Sequence, residues 1–125
     1  MNARTNFSRI MIVKNTTQKT LIARSCKQAT TFMELLFGLH WLSNPPELLF
    51  KTRYGIHTLF LKKPIDVLIL NDQFKVMKLK QNLKPNQFYF WNPKYQWVLE
   101  LPIGTRKNSK TELGDHLNFD PIPNS

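Results

Sequence analysis

Short apolar runs recur along the chain, each bounded by turn-forming residues, and this is the pattern of many short strands. Phe7 to Val13 and Lys19 to Arg24, on either side of Asn15-Thr16-Thr17, read as a first hairpin. Leu48 to Lys51, Ile56 to Leu61, Ile65 to Leu70, Phe74 to Leu79 and Tyr95 to Leu101 follow as strands rich in Ile, Leu, Val and aromatics. A turn at Gly114-Asp115 leads into a last strand, His116 to Phe119. Asn71-Asp72-Gln73 has the length of a three-residue hairpin connection, so the strands on either side should run antiparallel. Ile65 to Leu70 barely alternates, which predicts that both of its faces are covered, as inside a sandwich or a small closed barrel.

One segment has helical period instead. Ser25 and Gln28 match a capping box, Ala29, Phe32, Met33 and Leu36 fall on one face, and Gly38 supplies a C-terminal stop, which predicts a helix over 27–38. A short helical turn is expected between Gly104 and Thr111, and Ser43-Asn44-Pro45-Pro46 is a loop by its turn chemistry. Residues 81–94 form a long connection without period, carrying Phe88, Tyr89, Phe90 and Trp91. These aromatics either make a stacking or docking surface or fold back over an open end of the barrel. The expectation is one mainly β domain over 1–125, a small antiparallel barrel or sandwich with its core in 7–119. Met1 to Asn6 and the tail Asp120 to Ser125 should be loose.

Composition narrows this further. With 42% apolar residues and 12% aromatics the chain has enough to bury for an ordered core. Cys26 is the single cysteine, which excludes an internal disulfide and a four-cysteine zinc site and suits a small buried residue at a helix start. No signal-peptide core or membrane-length apolar stretch is visible, so a cytoplasmic location is expected. The net charge of +10 is uneven: residues 1–63 hold ten basic and two acidic side chains, and 64–125 hold eight and six. Such an excess attracts polyanions.

Three stretches resemble the DUF 192 family. Ala29 through Phe32 followed by Gly38-Leu39 is similar to its helix ending in Gly-Leu. Ile56-His57-Thr58-Leu59-Phe60-Leu61-Lys62-Lys63-Pro64-Ile65-Asp66-Val67-Leu68-Ile69-Leu70 resembles its Ile-His-Thr-x-Phe-Met-x-x-Pro-Ile-Asp-Val-x-Phe-Leu core. Trp97-Val98-Leu99-Glu100-Leu101-Pro102-Ile103-Gly104, with Gly114-Asp115 after it, resembles Val-Leu-Glu-Leu-Pro-x-Gly and a closing Gly-Asp. The likeness runs from about Ala29 to Phe119. It implies a compact, mainly antiparallel β domain with one or two short helices, and no particular chemistry. The chain departs from the pattern at Leu35, where members often carry Arg, at Leu61 in place of Met and at Asn71 in place of Asp. If that Arg serves a shared site, the site is incomplete here, with Arg53 a conceivable substitute.

Asp66 and Glu100 are acids inside apolar strands, and burial of an unpaired carboxylate is expensive enough to make each a site candidate. With His57 they would form an acid/base or metal-assisted centre if the fold brought them to one pocket. A structural role suits each better: an outward strand position, a tie to a neighbouring loop through backbone N–H groups, or a pair with Arg53 or a lysine. His40 and His116 lie in other elements, which weakens the metal version, and no cofactor is implied. There is no phosphate-cradling glycine loop and no Gly-x-Ser-x-Gly elbow. Lys62, Phe88 and Trp91 are the candidates for a ligand or partner site at the barrel mouth. Lys75, Lys78, Lys80 and Lys84 are the candidates for polyanion contact, although lysines on an edge strand also block aggregation. A non-catalytic binding or accessory domain is the favoured expectation, with the small enzyme and the nucleic-acid binder as alternatives.

Overall fold

The computed structural model describes residues 9–29, 47–53, 55–58 and 61–122. Among them the strands are β1 (Arg9–Asn15), β2 (Thr20–Gln28), β3 (Leu48–Lys51), β4 (Ile56–His57), β5 (Ile65–Leu70), β6 (Val76–Leu83), β7 (Phe88–Tyr89), β8 (Trp97–Pro102) and β9 (Leu117–Pro121). One helical turn, α1 (Thr105–Asn108), follows β8. Seven strands form one sheet in the order β6-β5-β8-β3-β2-β1-β9, and β4 pairs with β7 as a separate two-stranded sheet. Neighbours are antiparallel except β2 and β3, which run parallel through Lys27–Leu48 and Gln28–Leu49. No helix of the described residues is long and apolar enough to cross a membrane.

β5 and β8 pair without a break from Ile65–Pro102 to Leu70–Trp97. All six residues of β5 are buried, as its unbroken apolar run predicts. Alternation divides the side chains between two cores. Leu68 and Leu70 of β5 and Leu99 and Leu101 of β8 join Met11, Val13, Ile22, Cys26, Leu49, Val76 and Leu117 in a cluster that draws on every strand of the large sheet. Ile65, Val67 and Ile69 point the other way, to join Leu48, Phe50, Leu83 and Val98 under the small sheet, with Ile56, Leu61, Tyr89 and Trp91 laid over them.

The mainly β character stands, with α1 inside the expected 104–111 turn, but a closed barrel does not. The sheet edges approach each other at the starts of β6 and β9, through the bridge Lys75–His116, with Val76 N–H donating to Asp115 O (2.8 Å), Gly114 N–H to Val76 O (2.8 Å) and Leu117 N–H to Phe74 O (3.0 Å). Beyond Val76 the edge runs open, with Lys78 and Lys80 exposed along it.

The helix expected over 27–38 is corrected at its start. Lys27 and Gln28 close β2, and the N–H groups of Lys27 and Ala29 donate to the carbonyls of Glu47 (2.9 Å) and Leu49 (3.0 Å), so strand pairing satisfies the backbone that a helix start would leave open. The remainder of that segment, including Leu35, Gly38 and Leu39, lies outside the described residues. The tail is tied further than expected, since Asp120 and Pro121 pair with Ile12 and Met11. Of the predicted strand Ile56 to Leu61, the described residues pair at Ile56–His57 and leave the strand at Thr58. Its hydroxyl donates to Lys84 O (2.6 Å) and accepts from Gln87 N–H (2.9 Å), anchoring the turn before β7. The β5–β6 connection is antiparallel as expected but longer, with Asn71 Oδ1 accepting from the N–H groups of Gln73 and Lys75 (both 2.9 Å).

Asp66 holds the end of this framework. Its Oδ1 accepts from Asn82 N–H (3.1 Å), and its Oδ2 accepts from the N–H groups of Gly104 (3.1 Å) and Arg106 (3.0 Å). Asn82 stands at φ 58° where the β5–β6 register slips between Ile65 and Val67, so the carboxylate fills the bulge and also orients the start of α1. Asp66→Ala would orphan three N–H groups, each worth about 1–3 kcal/mol. Urea unfolding should show a loss of roughly 3 kcal/mol or more with an unchanged m-value, and a loss below about 1 kcal/mol would show that the carboxylate is not the fastening.

Candidate functional site

The three acid/base candidates are not brought together. Asp66 shares the face of Leu68 and Leu70 and pairs with Leu101, all on the side of the enclosed core. Glu100 shares the face of Val98 and lies between Val67 and Leu48, on the side of the small sheet. The two carboxyl groups therefore project from opposite surfaces of one sheet. His57 is next to Ile56, which points into the second core, and lies edge-on to Phe88 at 6.2 Å between ring centroids. Among the described residues no group of three His, Cys, Asp or Glu side chains could hold a metal ion.

Asp66 behaves as the loop tie described above. Glu100 differs: it is 1% exposed, and its Oε1 has no hydrogen-bond partner among the described residues. Burial among Leu48, Val67 and Val98 pushes its pKa up to about 8. The Tyr89 hydroxyl, which also belongs to the second core, is likewise buried without a partner among the described residues, and burial raises its pKa. Cys26 is fully buried in β2 rather than at a helix start, and burial raises its thiol to about 12, which leaves it protonated and inert.

Residues 88–91 do alternate. Tyr89 and Trp91 turn inward onto the second core, their rings 5.6 Å apart, and Trp91 Nε1 donates to Tyr95 O at 2.6 Å. Phe88 and Phe90 turn outward and are 61% and 63% exposed. Their rings are parallel within 2° at 6.2 Å between centroids. Trp91 is therefore on the inward side, and Phe90 stands beside Phe88 on the exposed one. Gly55 permits this placement: at φ 91°, a Cβ there would come within 2.5 Å of the Phe90 ring and 2.7 Å of Tyr89 O. The signal was the two-residue period of Phe88-Tyr89-Phe90-Trp91, masked in the sequence by Pro85 and Pro93 on either side.

Lys62 is exposed at the bend after Leu61, and Lys84 is exposed at the turn before β7. Lys78 Nζ lies 5.5 Å from the Tyr89 ring centroid, which places the lysines of β6 alongside β7. Lys80 is exposed on the same strand, whereas Lys75 sits apart at the β6–β9 bridge. A buried polar cluster escaped the sequence reading. Asn15 Nδ2 donates to Thr111 Oγ1 and Asp115 Oδ2 (both 3.0 Å), and Glu112 N–H and Gln18 Nε2 also donate to Asp115. Burial would raise the Asp115 pKa, but these hydrogen bonds outweigh it and hold the carboxyl below its usual value. Every member is satisfied, so the cluster fastens the first hairpin to the C-terminal segment.

These features define a class: a curled, mainly β sheet with a small aromatic-bearing sheet on its outer face and no assembled acid/base or metal centre among the described residues. The chain belongs to the UPF0127 family. A UPF0127 protein of Pyrococcus abyssi is 34% identical over 98 residues, covering 73% of this chain and 82% of the relative. One from Pyrococcus furiosus is 30% identical over 112 residues, covering 85% and 96%. No family model matches the chain. Two solved structures share the fold. A protein of unknown function from Novosphingobium aromaticivorans has a TM-score of 0.69 at 18% identity, covering 87% of this chain and 83% of that one. A candidate transcription regulator from Sinorhizobium meliloti 1021 has a TM-score of 0.73 at 17% identity, covering 94% and 98%.

Glu100 generates a pH signature. Its folded pKa of about 8 lies above its ordinary 4.5, so the folded protein keeps a proton that the unfolded chain has lost. Below pH 4.5 both states are protonated and nothing is lost; stability then falls by up to about 1.4 kcal/mol per pH unit until pH 8 and levels off. Glu100→Gln should flatten this part of the profile and be roughly 3–5 kcal/mol more stable than the parent at pH 8. Parallel profiles for the two proteins in urea melts from pH 5 to 9 would show that Glu100 is not protonated in the fold.

Proposed function

We propose that this chain is a non-catalytic binding module whose contact face is the outward side of the small sheet, formed by His57, Phe88 and Phe90. The observation that carries this is the pair of parallel, mostly exposed phenylalanines on β7 and the residue that follows it. Exposed apolar side chains are ordinary when scattered, but these two are neighbours with parallel rings and are held by structure beneath them. Tyr89 and Trp91 root the segment in the second core, Gly55 gives Phe90 its seat, and Thr58 fixes the turn before Phe88. A face ordered before contact needs less ordering on binding, which favours recognition. The acid/base alternative gains no support from the placement of His57, Asp66 and Glu100 on three different surfaces.

The face can be tested with an anionic aromatic dye, 8-anilinonaphthalene-1-sulfonate. Its fluorescence should rise on binding to the parent protein and fall several-fold with Phe88→Ser/Phe90→Ser, while the melting temperature stays within a few degrees because both side chains are solvent-facing. Equal dye binding by the two proteins would remove this face from consideration.

A further inference from the structure

The acidic residues are distributed in a way that singles out the same face. From residue 48 to 65, and again from 73 to 99, the chain has no Asp or Glu. The first interval contains Lys51, Arg53, Lys62 and Lys63, and the second contains Lys75, Lys78, Lys80, Lys84 and Lys94. Nine of the 18 basic residues and none of the eight acidic ones thus fall in the two intervals that supply β4 and β7, leaving nine basic against eight acidic elsewhere. Nearly all of the net charge of +10 belongs to the segments around the aromatic face.

The fold sets several of these cations as a frame. Arg53 is exposed two residues before Gly55, the seat of Phe90. Lys62 follows Leu61, whose N–H donates to Thr58 O (3.2 Å) at the far end of β4. The Thr58 hydroxyl donates to the Lys84 carbonyl in the turn before β7, and Lys78 Nζ lies 5.5 Å from the centroid of the inward-turned Tyr89 ring, beside the small sheet. Phe88 and Phe90 thus project from a sheet whose neighbouring segments carry exposed positive charge and no acid.

Resting on the proposed contact face, we infer that its ligand is single-stranded nucleic acid, with bases stacking on Phe88 and Phe90 and phosphates contacting Arg53, Lys62, Lys78 and Lys84. Stacking is tolerant of sequence because every base has a π-face, and the cations track the backbone. A duplex hides its base faces and fits less well. A purely acidic protein partner would satisfy the cations but leave the two rings without a role.

The test is fluorescence anisotropy of the full chain with labelled 12-nucleotide RNA, the same sequence as single-stranded DNA, and its duplex, each at 50, 100 and 200 mM salt. At least one single strand should bind at least tenfold more tightly than the duplex, and the RNA and DNA arms identify which. Four phosphate contacts give an expected slope of log K against log salt of about −3. Phe88→Ser/Phe90→Ser should weaken single-strand binding at least tenfold with little change in slope, whereas Lys78→Gln/Lys84→Gln should make the slope shallower by about 1.4. Binding to duplex or poly-glutamate as tight as to single strands, or binding that ignores the phenylalanine change, would overturn the inference. If no oligonucleotide binds while the dye still depends on Phe88 and Phe90, the nucleic-acid assignment falls and the contact face stands; if the dye also ignores them, both fall.

Discussion

The uninterrupted ladder between β5 and β8 is the constraint from which the other arrangements follow. Alternation sends Leu68, Leu70, Leu99 and Leu101 to one side and Ile65, Val67, Ile69 and Val98 to the other, so these strands present an apolar surface on both faces. A sheet of that kind is unstable in water unless both faces are covered. The large sheet covers the first by curling until β6 and β9 touch. It has no strand left for the second, and the β4–β7 sheet with Leu61, Trp91 and Tyr95 supplies that cover. A two-stranded sheet is marginal alone, so β4 and β7 depend on this packing for their order.

Polar groups at this ladder are treated in two ways. Asp66 sits where the β6 register slips, and its oxygens accept from three backbone N–H groups that needed partners in any case. Glu100, one pair along on the neighbouring strand, lies between Leu48 and Val67 across the ladder, and burial there raises its pKa. Similar residues in similar sequence settings acquire different chemistry because one faces a bulge and a helix start and the other faces apolar side chains.

That contrast shows what was legible in the sequence. The bounds of β3 and β5 could be read from apolar runs, and the antiparallel β5–β6 pairing from the turn residues between them, since these depend on local composition. The path of residues 25–28 could not, because Ser25 and Gln28 suit a helix cap locally, and only pairing with β1 and β3 extends the strand through them. Nor could the face of Asp66 or Glu100 be known before the β5–β8 register was: both are acids in apolar runs, and parity alone separates them. For the aromatic segment the expected alternatives, docking surface or cover, are both present in part. Tyr89 and Trp91 cover, Phe88 and Phe90 project, and the two-residue period that divides them is visible once the segment is known to be extended.

The projecting pair follows from the covering one. In extended backbone successive side chains point to opposite sides, so a segment that buries Tyr89 and Trp91 must expose positions 88 and 90. Covering the sheet requires two inward aromatics or their equivalent, but it places no demand on the outward positions, where polar side chains would serve a purely structural flap better. Phenylalanine at both therefore calls for a reason outside the packing of this domain. The same holds for the lack of any acid between residues 73 and 99, since surface strands gain from mixed charge and nothing in the fold excludes Asp or Glu from their exposed positions. Two departures from what folding requires, one apolar and one electrostatic, thus fall on the small sheet and on the segments that flank it in the chain. Protection of the open β6 edge accounts for Lys78 and Lys80 but not for the two phenylalanines, whereas a ligand that is flat, apolar and anionic accounts for both features at once.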